Sequence, residues 1–222
     1  GLGLVSAQAA AEEAVERVNE GFRAIKMRLG RPEGHEDLAA VRAVRRAIPD
    51  EVALMADYNQ ALSPAAARQR CGQLDGEGLY WIEEPVRHDD YAASAGLARE
   101  LQTPVQIGEN FIGPRAMAQA LSLQASDFMM PDVERIGGVS GWMEAAALAH
   151  AASVELSSHL FPEISAHLLA ATPTAHWLEH VDWSDAIVQE PVRIIDGCIA
   201  PSKVPGNGLA WNEEAVKRYL SS

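Results

Sequence analysis

Only two cysteines, Cys71 and Cys198, occur in the 222 residues, too few for a disulfide framework. Cys71 falls on a helical pattern and reads as an inert thiol. Basic residues are scarce: 18 Lys and Arg stand against 31 Asp and Glu, a formal charge of −13. That balance argues against a nucleic-acid partner, which would need a basic surface. It does not argue against a small anionic ligand, because a bound cation and a few basic side chains reverse a local field. Long apolar runs are also missing. None approaches the ~18 residues of a membrane span, and the opening GLGLVSAQAAAEEAVERV lacks the basic and apolar regions of a signal peptide. The expectation is a soluble, cytoplasmic protein with no membrane partner. Aromatic residues make up 6% of the chain and are scattered, as core residues are.

What the chain does have is a rhythm. Short apolar runs alternate with helical patterns. Runs 23–30, 52–57, 79–83, 104–109, 127–132, 153–159 and 175–179 read as strands. Helical stretches fall at about Ser6 to Asn19, His35 to Ile48 and Asp89 to Leu101, at the segments opened by Pro64, Pro114 and Gly137, and at 164–171. Seven strands alternating with helices imply a parallel sheet with helices outside, an α/β class. An eight-stranded (β/α) barrel needs one strand more. Because the chain opens on a helix, that strand is expected upstream of Gly1. Residues from about 186 to 222 form an appendage, with β character over 187–202 and a closing helix from Glu213 to Leu220.

Asp57, Glu83 and Glu109 stand 26 residues apart, each closing one apolar run. One βα unit takes roughly that length, so the three carboxylates occupy the same end of successive parallel strands. Close together they repel unless a cation holds them. Oxygen-only ligands suit Mg²⁺, or Mn²⁺, over Zn²⁺. Glu84 follows Glu83, and strand alternation lets only one of the pair face the metal; the even spacing selects Glu83.

The other strands end in polar residues too: Lys26 and Arg28, Asn59, Asn110, Asp132, His159 and Glu179. Active sites of parallel barrels collect at this face. Asp132 can fix the tautomer of His159 and leave its second nitrogen to take a proton. Burial among negative groups would raise the pKa of Glu179 and make it a proton donor. Lys26 can neutralise an anionic substrate. His167 and His176 lack such company and read as structural. The glycine-led 137–142 segment reads as a tight turn ahead of a phosphate cradle, since it lacks a P-loop's Lys-Ser/Thr.

KxR at 26–28, DYNQ at 57–60, WIEEP at 81–85, GEN at 108–110, PD at 131–132, IGGVSGW at 136–142, SSHL at 157–160 and SAHLLAATPTAHWLE at 165–179 together resemble the mandelate racemase branch of the enolase superfamily. The likeness runs along essentially the whole chain. It implies the superfamily's C-terminal (β/α)-barrel domain, incomplete at the N-terminus, with the first strand and an N-terminal capping domain missing. It implies Mg²⁺ on Asp57, Glu83 and Glu109, and a His159–Asp132 base dyad. It also implies Glu179 and Lys26 on the substrate carboxylate, Asn59 beside the substrate, and a symmetric homo-oligomer. The implied chemistry is removal of the proton α to a carboxylate in a small 2-hydroxy acid or sugar acid. The branch usually has KxK, and its second lysine is here Arg28, whose pKa above 12 makes it a poor base. Three functions follow: a racemase or epimerase of 2-hydroxy acids, which overall similarity favours; a sugar-acid dehydratase, for which His159 alone suffices; and a non-catalytic metal-binding fragment.

Overall fold

The computed structural model describes residues 2–220; Gly1, Ser221 and Ser222 lie outside the described residues. Seven parallel strands run in sequence order through one sheet: β1 (Ala24–Arg28), β2 (Ala53–Asp57), β3 (Trp81–Glu83), β4 (Val105–Ile107), β5 (Phe128–Met129), β6 (Leu156–Ser158) and β7 (Ala175–Leu178). Helix α1 (Ala7–Asn19) precedes β1. The helices α2 (Gly34–Ala47), α3 (Pro64–Leu74), α4 (Tyr91–Glu100), α5 (Pro114–Ser122), α6 (Gly138–Ala152) and α7 (Pro162–Ala170) connect successive strands, and α8 (Glu213–Tyr219) closes the chain. The sheet curls into an incomplete (β/α) barrel.

The helix starts are legible in local chemistry. Ser6, Ser63 and Asp90 each accept a hydrogen bond from a backbone N–H of the first turn, and Pro64 and Pro114 occupy first-turn positions where no donor is needed. Two faces of the sheet divide the side chains. Ile25, Met27, Leu54, Ile82, Val105, Ile107, Met129 and Leu156 join Val41, Val44, Cys71, Met117 and Trp142 of the helices in one buried core. Their strand neighbours Lys26, Met55, Trp81 and Met130 instead line a cavity of about 730 Å³ inside the curl. The period of two along each strand places one set out and the other in.

Two details depart from expectation. The chain does not open directly on a helix: Leu2 pairs in parallel with Met27 and is tied to the Lys26 carbonyl and the Arg28 N–H, so it occupies the outer edge of β1. The 187–202 stretch forms no strand; its β character is confined to isolated bridges, Val188 with Trp211 and Ile195 with Cys198. Pro191 removes a ladder donor there, and Asp196 and Gly197 turn the chain at positive φ. As expected, the glycine-led 137–142 segment begins with a tight turn, at Gly137, and runs on into α6. Gly137 is left-handed, and a Cβ on Gly141 would lie 2.0 Å from the Ile136 carbonyl oxygen.

Among the described residues, no helix is long and apolar enough to cross a membrane.

Candidate active site

All the strand-end residues singled out by the sequence gather at the C-terminal ends of the seven strands. Arg28, Asp57 and Glu83 are register partners across β1, β2 and β3, so their side chains emerge side by side. The backbone bends sharply just past the strands. Asn59, Gln60, Glu84, Leu160 and Phe161 all adopt positive φ, a costly conformation for residues with a Cβ. Gly108 has φ of 141°, and a Cβ there would lie 2.7 Å from the Met130 nitrogen. Only glycine lets β4 approach β5 this closely, and the turn sets Glu109 in place.

Lys26 holds two acids. Its Nζ lies 2.8 Å from Glu83 Oε1 and 2.6 Å from Glu179 Oε1. Glu83 is 0% exposed, and Trp81 Nε1–H donates to its other oxygen at 3.1 Å. Burial pushes its pKa up to about 8; Lys26 opposes this, while Asp57 and Glu179 add to it. Glu179 differs from expectation. Burial is the largest single influence and would raise its pKa, but Lys26, His159 and the Leu160 N–H together outweigh it and hold the group below its ordinary value. It stands here as an ionised partner of Lys26, not as a proton donor. The sequence reading counted the surrounding acids and missed that Lys26 points between them.

Glu84 also departs from strict alternation. β3 ends at Glu83, and the left-handed Glu84 remains buried, with both of its oxygens accepting from Asn110 Nδ2 at 2.9 and 3.0 Å. Burial, then the nearby Glu109, raise its pKa to about 8.

On the far side, His159 Nδ1 lies 2.8 Å from Asp132 Oδ2. The other oxygen of Asp132 accepts the backbone N–H groups of Glu134 and Arg135 at 2.8 and 3.1 Å. Burial would raise the Asp132 pKa, yet His159 and these two N–H donors bring it below the usual range. The carboxylate therefore stays charged and fixes the imidazole. His159 Nε2 faces Glu109 Oε2 at 3.3 Å and Glu179 Oε2 at 3.9 Å. Asn59 donates from its side chain to Glu109 Oε1 at 3.1 Å and from its backbone to Asp57 Oδ1 at 2.7 Å. Arg28 lies 3.3 Å from Asp57 Oδ2.

The three acids at 26-residue spacing are thus each turned toward a nitrogen group: Asp57 to Arg28 and Asn59, Glu83 to Lys26, Glu109 to His159 and Asn59. Among the described residues no three His, Cys, Asp or Glu side chains are gathered tightly enough to hold a metal as they stand. The donor set nevertheless fits a hard divalent cation: three carboxylates, oxygen only, from adjacent strand ends. Glu83 is fully buried, with the acids Asp57 and Glu179 as well as Lys26 around it, and burial first, then those acids, raise its pKa.

Arg135 and Trp81 also belong to this site, and the sequence alone did not single them out; Asn110 stood among the strand-end polar residues without a role. Asn110 directly follows Glu109, but nothing in the spacing shows where its amide points. His176 is structural, as expected: its ring packs against Phe128, 4.8 Å between centroids, and bonds Tyr80 Oη at 2.7 Å.

The family model for enolase C-terminal domain-like proteins matches residues 9–215. The L-talarate/galactarate dehydratase of Salmonella typhimurium is 35% identical over 195 residues, which is 88% of this chain and 49% of that protein. An enolase from Bradyrhizobium, solved with magnesium and mandelic acid, superposes with a TM-score of 0.94 at 42% identity, over 99% of this chain and 61% of that one. The L-talarate dehydratase of Polaromonas sp. JS666, solved with Mg and L-glucarate, superposes with a TM-score of 0.91 at 32% identity, over 96% and 60% of the two chains. Further relatives include other sugar-acid dehydratases, cycloisomerases, an epimerase and a racemase. The chain spans about half the length of the curated relatives it matches.

Proposed function

This chain belongs to the enolase C-terminal domain-like family, and we propose that its site removes the proton α to the carboxylate of a small hydroxy acid. The observation that carries this reading is the buried His159, fixed through Nδ1 by an ionised Asp132, with Nε2 free to face the acids of the site. That is the arrangement of a general base with its orienting carboxylate. Lys26, set between Glu83 and Glu179, supplies a fixed positive charge for a substrate carboxylate as negative charge builds on it. Asp57, Glu83 and Glu109 would hold Mg²⁺, which when bound lends further positive charge to that carboxylate and so acidifies the α-proton. Magnesium in the related structures supports this assignment.

Dehydration of a sugar acid is the reaction we favour. His159 takes the α-proton and can return it to the departing β-hydroxyl, which leaves as water. The enol that remains ketonises to a 2-keto-3-deoxy acid. One base is enough for that sequence. Racemisation needs a base on each face of the α-carbon, and the group opposite in sequence pattern is Arg28, a guanidinium engaged with Asp57. The dehydratases among the relatives act on such acids, which supports the same choice. Racemisation or epimerisation of a 2-hydroxy acid is the second reading, favoured by the mandelic acid bound to the Bradyrhizobium protein.

Incubation of the full-length protein with Mg²⁺ and a panel of aldonic and aldaric acids tests the choice. A 2-keto-3-deoxy product from one of them is expected; inversion at C2 of a 2-hydroxy acid without a keto product would favour the second reading.

A further inference from the structure

Arg135, three residues after Asp132, touches both halves of the site. Its backbone N–H donates to Asp132 Oδ1 at 3.1 Å, and its carbonyl accepts the Gly113 N–H at 3.0 Å. Its Nη1 donates to the Glu109 carbonyl at 3.0 Å and to Asn110 Oδ1 at 2.9 Å. A guanidinium only donates, so it dictates which end of the Asn110 amide faces it. The NH₂ end is thereby turned to the carboxylates, donating to both oxygens of Glu84 and to Glu109 Oε1 at 3.3 Å. With Asn59 and Asn110 both on Oε1, Glu109 presents Oε2 to the His159 side of the site.

We infer that Arg135 is a positioning residue that aims Glu109 through Asn110, and so sets the metal-facing acid in register with the His159–Asp132 pair. The inference rests on the proposed reading of Glu109 as a Mg²⁺ ligand. Outer partners that orient a ligand typically contribute roughly 10–100-fold in metal affinity.

The sign of the effect separates positioning from plain electrostatics. Arg135 is a cation near a cation site, so removing its charge alone would tighten Mg²⁺ binding. Loss of aim weakens it. The test is Mg²⁺ affinity by calorimetry, with thermal midpoints, in the full-length protein and its Arg135→Met, Arg135→Lys, Asn110→Ala and Arg135→Met/Asn110→Ala variants. The expected result is at least a tenfold loss for Arg135→Met with a midpoint close to that of the parent. Arg135→Lys should retain part of the affinity, and the double variant should bind no more weakly than Asn110→Ala alone. Unchanged or tighter binding in Arg135→Met overturns the inference, as do losses that multiply in the double variant. If Arg135→Met does not fold, Arg135→Lys decides: both contacts leave from Nη1, one atom further from the backbone than a lysine ammonium, so parent-like affinity there overturns it. A parent protein that binds no Mg²⁺ overturns the metal reading itself, a distinct outcome seen before any variant is compared.

Discussion

Replacing Lys26 by Met should unbalance the site and give a pH signature. Nζ lies 2.8 and 2.6 Å from oxygens of two largely buried carboxylates, Glu83 and Glu179. At an effective dielectric of about 20, the contact with Glu179 represents about 6 kcal/mol of attraction, and the contact with Glu83 adds a similar amount once that group ionises as pH passes about 8. Desolvation of the three groups offsets much of this, and breaking a buried pair costs about 3–5 kcal/mol because the remaining charge is left without a partner. One cation here serves two acids, which places the cost at the upper end, about 5 kcal/mol. For a chain of this size that corresponds to a fall of about 10–20 °C in thermal midpoint.

The pH dependence follows from the direction of each shift. Glu179 has a depressed pKa in the folded protein, so its stabilising contribution is present above the unfolded value and lost as pH falls through the folded one. Glu83, pushed up to about 8, has the opposite sign: the folded protein keeps a proton that the unfolded chain has released, and stability erodes as pH rises toward 8. Without Lys26, burial raises both groups, so the variant's deficit should be small near pH 5 and full at pH 8.5. Urea unfolding of parent and Lys26→Met at the two pH values measures it. A deficit below about 1 kcal/mol at pH 8.5, or one equal at both values, would refute the argument, since a buried acid pair stripped of its cation cannot cost so little.

Two further outcomes are expected. Arg28→Lys places a group that can exchange protons where the guanidinium cannot, so the variant should invert a 2-hydroxy acid at C2 at least tenfold faster than the parent, in line with the usual worth of a positioned acid–base group; chiral chromatography of an enantiopure acid after incubation would show it, and an unchanged inversion rate would count against the role given to position 28. Gly108→Ala must fit a Cβ at φ 141° against Met130 backbone atoms 2.7 and 2.9 Å away, which should destabilise the protein by about 2–4 kcal/mol in urea unfolding; parent-like stability would mean that β4 and β5 can separate there at little cost.

The seven strands, their order and the shared face of the strand-end residues were legible in the sequence, because strands buried on both faces read as short apolar runs and the βα period is regular. Three things were not. Leu2 pairs at a single residue, which leaves no periodic signal. The state of Glu179 depended on where the Lys26 ammonium points, a three-dimensional fact that counting nearby acids reversed. Glu84 escaped the alternation rule because the strand ends one residue before it, and the positive φ that follows is set by tertiary contacts. The same limit hid Arg135 and the direction of the Asn110 amide: residues 25 apart in sequence are joined by a hydrogen bond between two rim loops, and no spacing rule records it.

The central claim is that His159 takes a proton from the α-carbon of a hydroxy acid. Loss of the C2 proton, followed by NMR in deuterated water with Mg²⁺ and the same panel of aldonic, aldaric and 2-hydroxy acids, tests it most directly in full-length parent and His159→Asn protein. The account predicts that loss for the parent with at least one acid, whether C2 takes up a deuteron or becomes the carbonyl carbon of a keto acid, and a rate at least a hundredfold lower in the variant. Loss of the C2 proton at parent rates in His159→Asn, or none with any acid in the Mg²⁺-loaded parent, would contradict it.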